Sequence, residues 1–253
     1  YYIITHITFN LECKIMRTKQ CIILAGGLGS RLGSLSKITP KPLIKINNIP
    51  FLFYLILKLK NEGITNILIL TWHKSEQFNS KKISKKFGID VRVLKESKKL
   101  GTGGSIINSF KYLHKKFFIV NGDTLFDISF KDLEKSFLEN KKINIMTACY
   151  NSITRTKKSS YVFYKDNIFK DYTHSNKKKF WVSGGVYISK KIVFKNIEVQ
   201  NLDLDNIILK NQNYFKKLGA KKYYDAFIDI GTPSDLKRAK NFIPKFIKYN
   251  IQL

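Results

Sequence analysis

Acid is what this sequence has least of. Its 18 Asp and Glu stand against 46 Lys and Arg, a formal net charge of +28 over 253 residues. Such an excess of base invites a nucleic-acid partner. Arginine is scarce as well, supplying only five of the basic residues. The lysines are spread along the chain and not clustered with aromatics, so no nucleic-acid face is expected. A phosphate-rich small substrate would still be attracted. Cysteine is limited to Cys13, Cys21 and Cys149, an odd number without metal-ligand spacing. That excludes a disulfide framework and a zinc site. Cys21 and Cys149 lie in apolar runs and read as small core residues, which fits a reducing cytoplasm. No apolar run approaches the roughly 18 residues of a membrane helix, so no membrane insertion is expected. A secretion signal is missing too: the apolar part of residues 1–17 is short and interrupted, and no small-residue cleavage site follows. Residues 1–17 read as an extension outside the fold, and 18–253 as one large domain.

What is present gathers near the amino end. Cys21 to Leu24 is an apolar run that reads as a buried strand. It breaks into Ala25-Gly26-Gly27-Leu28-Gly29-Ser30-Arg31-Leu32. Glycines allow positive φ and let another group approach the backbone. Bare N–H groups in such a loop cradle an anion. Arg31 adds a guanidinium fork suited to phosphate oxygens. Lys41, between Pro40 and Pro42, adds a point charge on a stiff loop. No Gly-Lys-Ser/Thr closes the stretch, so it is not a Walker loop, and Leu32 stands where a dinucleotide fingerprint needs its third glycine. On the glycines alone, a plain strand-to-helix turn explains it as well.

Downstream, strand and helix patterns alternate. Helices are expected over 51–61, 74–87, 103–113 and 129–138, and strands over 66–72, 90–95, 116–120 and 143–150. The alternation implies an α/β fold, a Rossmann-like three-layer sandwich with a mainly parallel central sheet. Ligands then bind beyond the carboxyl ends of the strands. The Gly26 loop, the Gly101 loop and Asp123 all fall there. Past Tyr150 the pattern becomes a hairpin over 161–165 and 168–172, then a lysine-rich loop. A strand with Gly184-Gly185, a helix over 202–211 and a strand over 223–230 follow. The last helix carries Leu236, Ala239, Ile243 and Phe246 on one face.

Two aspartates are candidates for chemistry. Asp123 ends a strand in Asn121-Gly122-Asp123-Thr124, where capping the next turn would also account for it. Asp229 lies in the apolar run Phe227-Ile228-Asp229-Ile230, where a carboxylate is costly unless paired or bound to a metal. Two carboxylates at strand ends facing a phosphate loop make the few-ligand site that Mg²⁺ takes, with phosphates and water supplying the rest. Glu96 ends another strand and has two readings, an exposed charge or an acceptor for a guanine edge. Gly184-Gly185 is open to a bulge.

Taken together, Gly26-Gly27-Leu28-Gly29-Ser30-Arg31-Leu32 and Pro40-Lys41-Pro42-Leu43 resemble the signature of the sugar-1-phosphate nucleotidyltransferases. The family more often has Thr than Ser at position 30. Residues 100–105, 121–128 and 227–239 match it too, and the resemblance runs from Met16 to about Ile243. The wording is most similar to short bacterial guanylyltransferases acting on D-glycero-D-manno-heptose 1-phosphate. N-acetylmuramate 1-phosphate uridylyltransferases and mannose 1-phosphate guanylyltransferases are similar as well. The resemblance implies a GT-A-like nucleotidyltransferase fold without an appended β-helix. It implies a nucleoside triphosphate, GTP first, and a sugar 1-phosphate as partners, and Mg²⁺ as cofactor. Arg31, Lys41, Asp123 and Asp229 would be catalytic, the two aspartates holding the metal. Leu24, Ala25, Gly26, Gly27, Gly29, Ser30, Glu96, Gly101, Thr102 and Gly103 would lie against the nucleotide. Asn121, Gly122, Gly184 and Gly185 would lie on the sugar-phosphate side. One position departs. The family places a Glu-Lys pair after the hairpin strand, and Tyr172 occupies the lysine position. Tyrosine brings no charge. Lys170, two residues away on the same face of an extended strand, is expected to supply the cation; Lys177, Lys178 and Lys179 are the other source.

Two other classes compete. A glycosyltransferase would share the fold but normally carries Asp-x-Asp where this chain has Asn121-Gly122-Asp123. A catalytically inactive sensor or regulatory subunit should have lost Arg31, Lys41 or an aspartate, and all four are present. The sequence fixes neither the exact sugar and base nor an oligomeric state, and leaves a homo-oligomer open.

Overall fold

Short apolar runs lay down the centre of the sheet, and two sets of apolar helix faces cover it. The structure, a computed structural model, describes residues 16–152, 163–165, 168–171, 180–210 and 218–246. Its strands are β1 (Gln20–Leu24), β2 (Lys45–Ile46), β3 (Ile49–Pro50), β4 (Asn66–Thr71), β5 (Asp90–Lys95), β6 (Lys116–Asn121) and β7 (Thr124–Phe126). Then come β8 (Ile145–Ser152), β9 (Phe163–Lys165), β10 (Ile168–Asp171), β11 (Phe180–Lys190), β12 (Leu218–Tyr223) and β13 (Phe227–Asp229). Nine of them form one sheet in the order β5-β4-β1-β6-β11-β8-β12-β10-β9. β5, β4, β1 and β6 run parallel, β11 runs antiparallel between β6 and β8, and β12 is parallel to β8. β7 and β13 pair separately.

Successive side chains of β1 go to opposite faces. Cys21 and Ile23 join Phe51, Leu55, Phe130 and Ile243 on one side, while Ile22 joins Ile106, Ile107 and Leu204 on the other. The helices Phe51–Asn61, Phe130–Glu139 and Pro233–Phe246 therefore cover one face, and Gly101–Asn108 and Leu204–Lys210 the other. Each fully buried Ile, Leu or Phe contributes roughly 1.5–3 kcal/mol. A strand buried on both faces is what an unbroken apolar run requires, and the three-layer α/β expectation holds.

Four boundaries differ from the sequence reading. The strand expected over 223–230 is two: β12 ends at Tyr223 in the main sheet, residues 224–226 leave it, and β13 pairs with β7 instead. The helix expected over 74–87 is broken: Lys74 takes a left-handed φ of 51°, a short turn Ser75–Gln77 follows, and the helix proper is Ser80–Phe87. Asn79 starts it, its side chain accepting the Lys82 N–H at 2.9 Å, a standard N-cap. The helix expected over 103–113 runs instead from Gly101 to Asn108 and gives way to a tight turn at Phe110–Tyr112. At the amino end the expected boundary falls two residues late. Met16 is buried in the core. The N–H groups of Arg17 and Thr18 both donate to the buried Glu134 carboxylate at 2.8 Å, and the Thr18 hydroxyl adds a third bond at 2.5 Å. Residues 1–15 lie outside the described residues.

Candidate active site

The carboxyl ends of β1, β4, β5 and β6 open into a cleft of about 290 Å³. Leu24, Ala25, Gly26 and Gly27 form its floor, Lys41 and Pro42 one side, Trp72 and Glu96 another, and Asn121 and Asp123 the end. The first loop folds as its glycines demand. Gly29 has φ +63°, and a Cβ there would come within 3.1 Å of the Ser36 side chain and 3.5 Å of Lys41 Cβ. Its bare Cα thus lets the loop settle beside the Pro-Lys-Pro turn. Ala25 spends its N–H on the Leu70 carbonyl at 2.8 Å, and Leu32 spends its own on the Gly29 carbonyl at 2.8 Å. Ser30 and Arg31 follow in the tight turn Ser30–Leu32, both exposed and outside the cleft lining.

Charge converges at the Asp123 end. Lys41 is buried and forms an ion pair with Asp123. Asp123 also accepts from the Thr124 hydroxyl at 3.2 Å. Its main-chain carbonyl accepts the Ile230 N–H at 3.0 Å, tying β6 to the end of β13. Asp229 thereby comes beside Asp123, at the cleft's edge and not in its lining. Burial raises the Asp229 carboxyl above its ordinary range, and the charges of Asp235 and Asp123 raise it further; the Gly231 N–H and Lys41 pull the other way. Arg31 closes the arrangement: a Cβ on Gly231 would stand 3.1 Å from its guanidinium. The glycine of Ile230-Gly231-Thr232 therefore makes room for that arginine, a role the sequence reading did not give it. Of the four residues expected to be catalytic, Lys41 and Asp123 line the cleft, Asp229 stands at its edge, and Arg31 reaches that edge beside Gly231.

At the other end, Glu96 lines the cleft with one carboxylate oxygen buried and without a hydrogen-bond partner. Burial raises its carboxyl, partly offset by the Ser105 hydroxyl and the Leu100 N–H. Of its two readings, the exposed surface charge is set aside.

The second glycine loop also has a packing task. Gly103 and Gly104 donate their N–H groups to the Leu202 carbonyl at 2.8 and 2.9 Å, and Leu202 returns a bond to Leu100. Thr102 accepts the Leu204 N–H on its hydroxyl at 2.7 Å. A Cβ on Gly101 would approach Leu202 O to 2.8 Å, on Gly103 to 3.0 Å, and on Gly104 would reach Gln200 O at 2.0 Å. These glycines admit the segment 200–204, which carries Asp203 into the cleft wall. Gly101 and Thr102 still line the cleft, and Gly103 does not.

On the sugar side, Asn121 lines the cleft. Gly122 anchors it from behind, its N–H on the Leu24 carbonyl at 2.9 Å. Gly184 and Gly185 sit at a register shift in β11. A Cβ on Gly184 would strike the Phe126 ring, and one on Gly185, at φ +67°, would strike the Asn121 amide. They make room for protein side chains within the fold, and the bulge reading stands. Lys170 is a correction. It lies on β10, five strands from β1 in the sheet order. Ile168 pairs with Gly219 on antiparallel β12, and Gly219 aligns through Met146, Ile188 and Phe118 with Cys21. β10 thus runs away from the carboxyl edge, and its backbone does not bring Lys170 to the cleft. Tyr172, Lys177, Lys178 and Lys179 lie outside the described residues. Sequence reasoning missed Trp72, Lys99, Ser105 and Asp203. Trp72 could have been found, since it directly follows a strand that ends at this edge. Asp203 sits a hundred residues from its partners and gave no local signal.

Among the described residues no helix is long and apolar enough to cross a membrane, and no group of three or more His, Cys, Asp and Glu is placed to hold a metal ion.

Comparison with known proteins places the chain in a family. Residues 20–245 match the nucleotidyl transferase family. A D-glycero-alpha-D-manno-heptose 1-phosphate guanylyltransferase of Campylobacter jejuni is 32% identical over 225 residues, 85% of this chain and 96% of that protein. Its counterpart from Aneurinibacillus thermoaerophilus is 32% identical over 238 residues, 90% of this chain and 100% of that one. The crystal structure of HddC from Yersinia pseudotuberculosis superposes with a TM-score of 0.77 at 27% identity, covering 90% of this chain and 100% of that chain. The same protein complexed with GMP-PN gives 0.73 at 26% identity, covering 88% and 99%. A match from residue 20 to residue 245, with relatives 32% identical along almost their whole length, makes this chain a member of the nucleotidyl transferase family.

Proposed function

We propose that this protein transfers GMP from GTP to D-glycero-α-D-manno-heptose 1-phosphate, releasing pyrophosphate. The gathering of Lys41 and Asp123 at one end of the cleft, with Asp229 and Arg31 at its rim, supports the reaction class. The Glu96 oxygen at the opposite end supports guanine, whose ring N–H and amino groups can donate to it. A carboxylate there would repel phosphates, so that end takes the base. The sugar is taken from the two bacterial relatives; the mannose-1-phosphate relative from Drosophila melanogaster is 27% identical, and this chain spans 60% of it.

An oxygen of the sugar 1-phosphate attacks the α-phosphorus of the triphosphate in line. The bond from that phosphorus to the bridging oxygen breaks, and pyrophosphate leaves with the electron pair. The nucleophile is already ionised, so no general base is required. The barrier is repulsion between anions, which fixed cations and aimed N–H groups lower. The N–H groups of the loop beyond Ala25 bind the triphosphate, and Arg31 and Lys41 neutralise its outer phosphates. Asp123 and Asp229 would hold Mg²⁺. The fit lies in their unequal partners: Lys41 offsets Asp123, while Asp229 is half-buried and raised by neighbouring acids. When bound, the dication would neutralise charge shared between the two phosphates. The reaction belongs to the cytoplasm, where the triphosphate is at hand.

The test is pyrophosphate release from four nucleotides against heptose, mannose and N-acetylmuramate 1-phosphates. GTP with the heptose phosphate should give the highest kcat/KM. Much better use of UTP or dTTP would overturn the guanylyl assignment.

A further inference from the structure

The cleft accounts for a nucleotide, and the acceptor needs a surface of its own. β8 and β11 continue past the level at which β6 ends: Asn121 packs against Gly185, while β11 extends to Phe180 and β8 to Ser152. On this projecting wall Trp181 pairs with Asn151, and Lys222 on β12 pairs with Cys149. Alternation puts Trp181, Asn151 and Lys222 on one face, and Tyr224, just past the end of β12, meets Trp181 there. Trp181 packs on the same side of the sheet as Leu24 and Leu70, both of which line the cleft.

The patch has an unusual composition for a surface. Tyr224 is 82% exposed and meets Trp181 edge-on, ring centres 5.3 Å apart. The Lys222 ammonium lies 5.1 Å from the centre of the Trp181 ring. Between the two rings in the strand order, the Asn151 side-chain carbonyl oxygen is buried without a hydrogen-bond partner. Rings offer flat apolar area to the C–H face of a carbohydrate, an ammonium donates to its hydroxyls, and an orphan amide oxygen accepts from them. Three strand spacings, about 14 Å, separate Asn121 from Lys222. A sugar phosphate anchored near Asp123 would bridge that gap with its ring, its exocyclic carbons and the reach of the lysine.

We propose that Trp181, Tyr224, Lys222 and Asn151 form the specificity surface for the acceptor, gripping the hydroxylated end of the sugar remote from its phosphate. The inference rests on the reading of the site as a sugar-1-phosphate nucleotidyltransferase. A seven-carbon sugar, with a longer exocyclic chain than a hexose, gains more from this wall.

The experiment uses the full chain carrying Tyr224→Ala, Lys222→Ala or Trp181→Phe, with heptose and mannose 1-phosphates as acceptors. Tyr224 is so exposed that its loss leaves the core intact, which guards against a folding artefact. The KM for heptose 1-phosphate should rise about three- to tenfold in Tyr224→Ala and Lys222→Ala, and that for GTP should stay constant. The preference for heptose over mannose should fall. An unchanged acceptor KM in both variants, or an equal rise for both substrates, overturns the surface. If the unmodified chain turns over no sugar 1-phosphate, the functional reading fails and takes the surface with it. Turnover by the unmodified chain with unaltered variants removes the surface alone.

Discussion

Replacing Gly104 with alanine tests how the cleft wall is held. A Cβ at that position would stand 2.0 Å from the Gln200 carbonyl oxygen, and a backbone atom has no rotamer to escape into. The segment after Gln200 would have to lift. It is held by the Gly103 and Gly104 N–H bonds to Leu202, the Leu202 N–H bond to Leu100 and the Leu204 N–H bond to Thr102, all between 2.7 and 2.9 Å. At about 1 kcal/mol net apiece, losing two to four of them costs roughly 2–4 kcal/mol. In a domain of this size that lowers the melting temperature by about 4–16 °C. Lifting the segment also withdraws Asp203 and frees Thr102, so the nucleotide KM should rise several-fold and the acceptor KM should move less. Thermal unfolding and initial-rate measurements read both effects. Gly27→Ala is the control, because nothing lies within 4 Å of a Cβ there, and it should melt as wild type. Wild-type melting and wild-type nucleotide KM in Gly104→Ala would refute the clamp.

Asp229→Asn should abolish turnover while raising the melting temperature of the metal-free protein at neutral pH. An acid whose folded pKa is raised costs stability while ionised, and the cost is relieved as pH falls through that raised value. The gain should therefore shrink toward acid; a variant that melts lower than wild type at pH 7 would contradict the assignment. Glu134→Ala should orphan the N–H groups of Arg17 and Thr18 and cost about 3 kcal/mol, near 6–12 °C. A chain begun at Thr18 should likewise melt below one begun at Met16, whose side chain is buried. Lys170→Ala should leave both KM values unchanged, and a raised acceptor KM would return Lys170 to the site.

The sheet was legible because its signals are local. Cys21 to Leu24, Asn66 to Thr71 and Lys116 to Asn121 each carry an apolar run that can only be covered on both faces. The loops at their carboxyl ends then had to meet, and Lys41, Asp123 and Glu96 do meet there. What escaped depends on distant partners. The Gly101–Gly104 stretch looks like a ligand loop in sequence, but its missing side chains admit a segment a hundred residues later. Gly231 is open for Arg31, two hundred residues earlier. Lys170 was placed by strand alternation alone, which gives a face but not the strand's position in the sheet. The break before Ser80 was within reach: Asn79 is a strong N-cap type ahead of an apolar-periodic stretch.

The Glu134 clip bears on the order in which the chain assembles during synthesis. β1 is one of the two inner strands of the four parallel ones, and its lead-in is fastened to a carboxylate 116 residues further on. At about 5–20 residues per second, Glu134 leaves the ribosome roughly 6–23 s after Thr18. β1, β4 and β5 are all made in that interval, with the N–H groups of Arg17 and Thr18 still facing water. β1 is thus fastened at its amino end only after its parallel neighbours exist, and a pairing formed in the wrong register can still slide until Glu134 arrives.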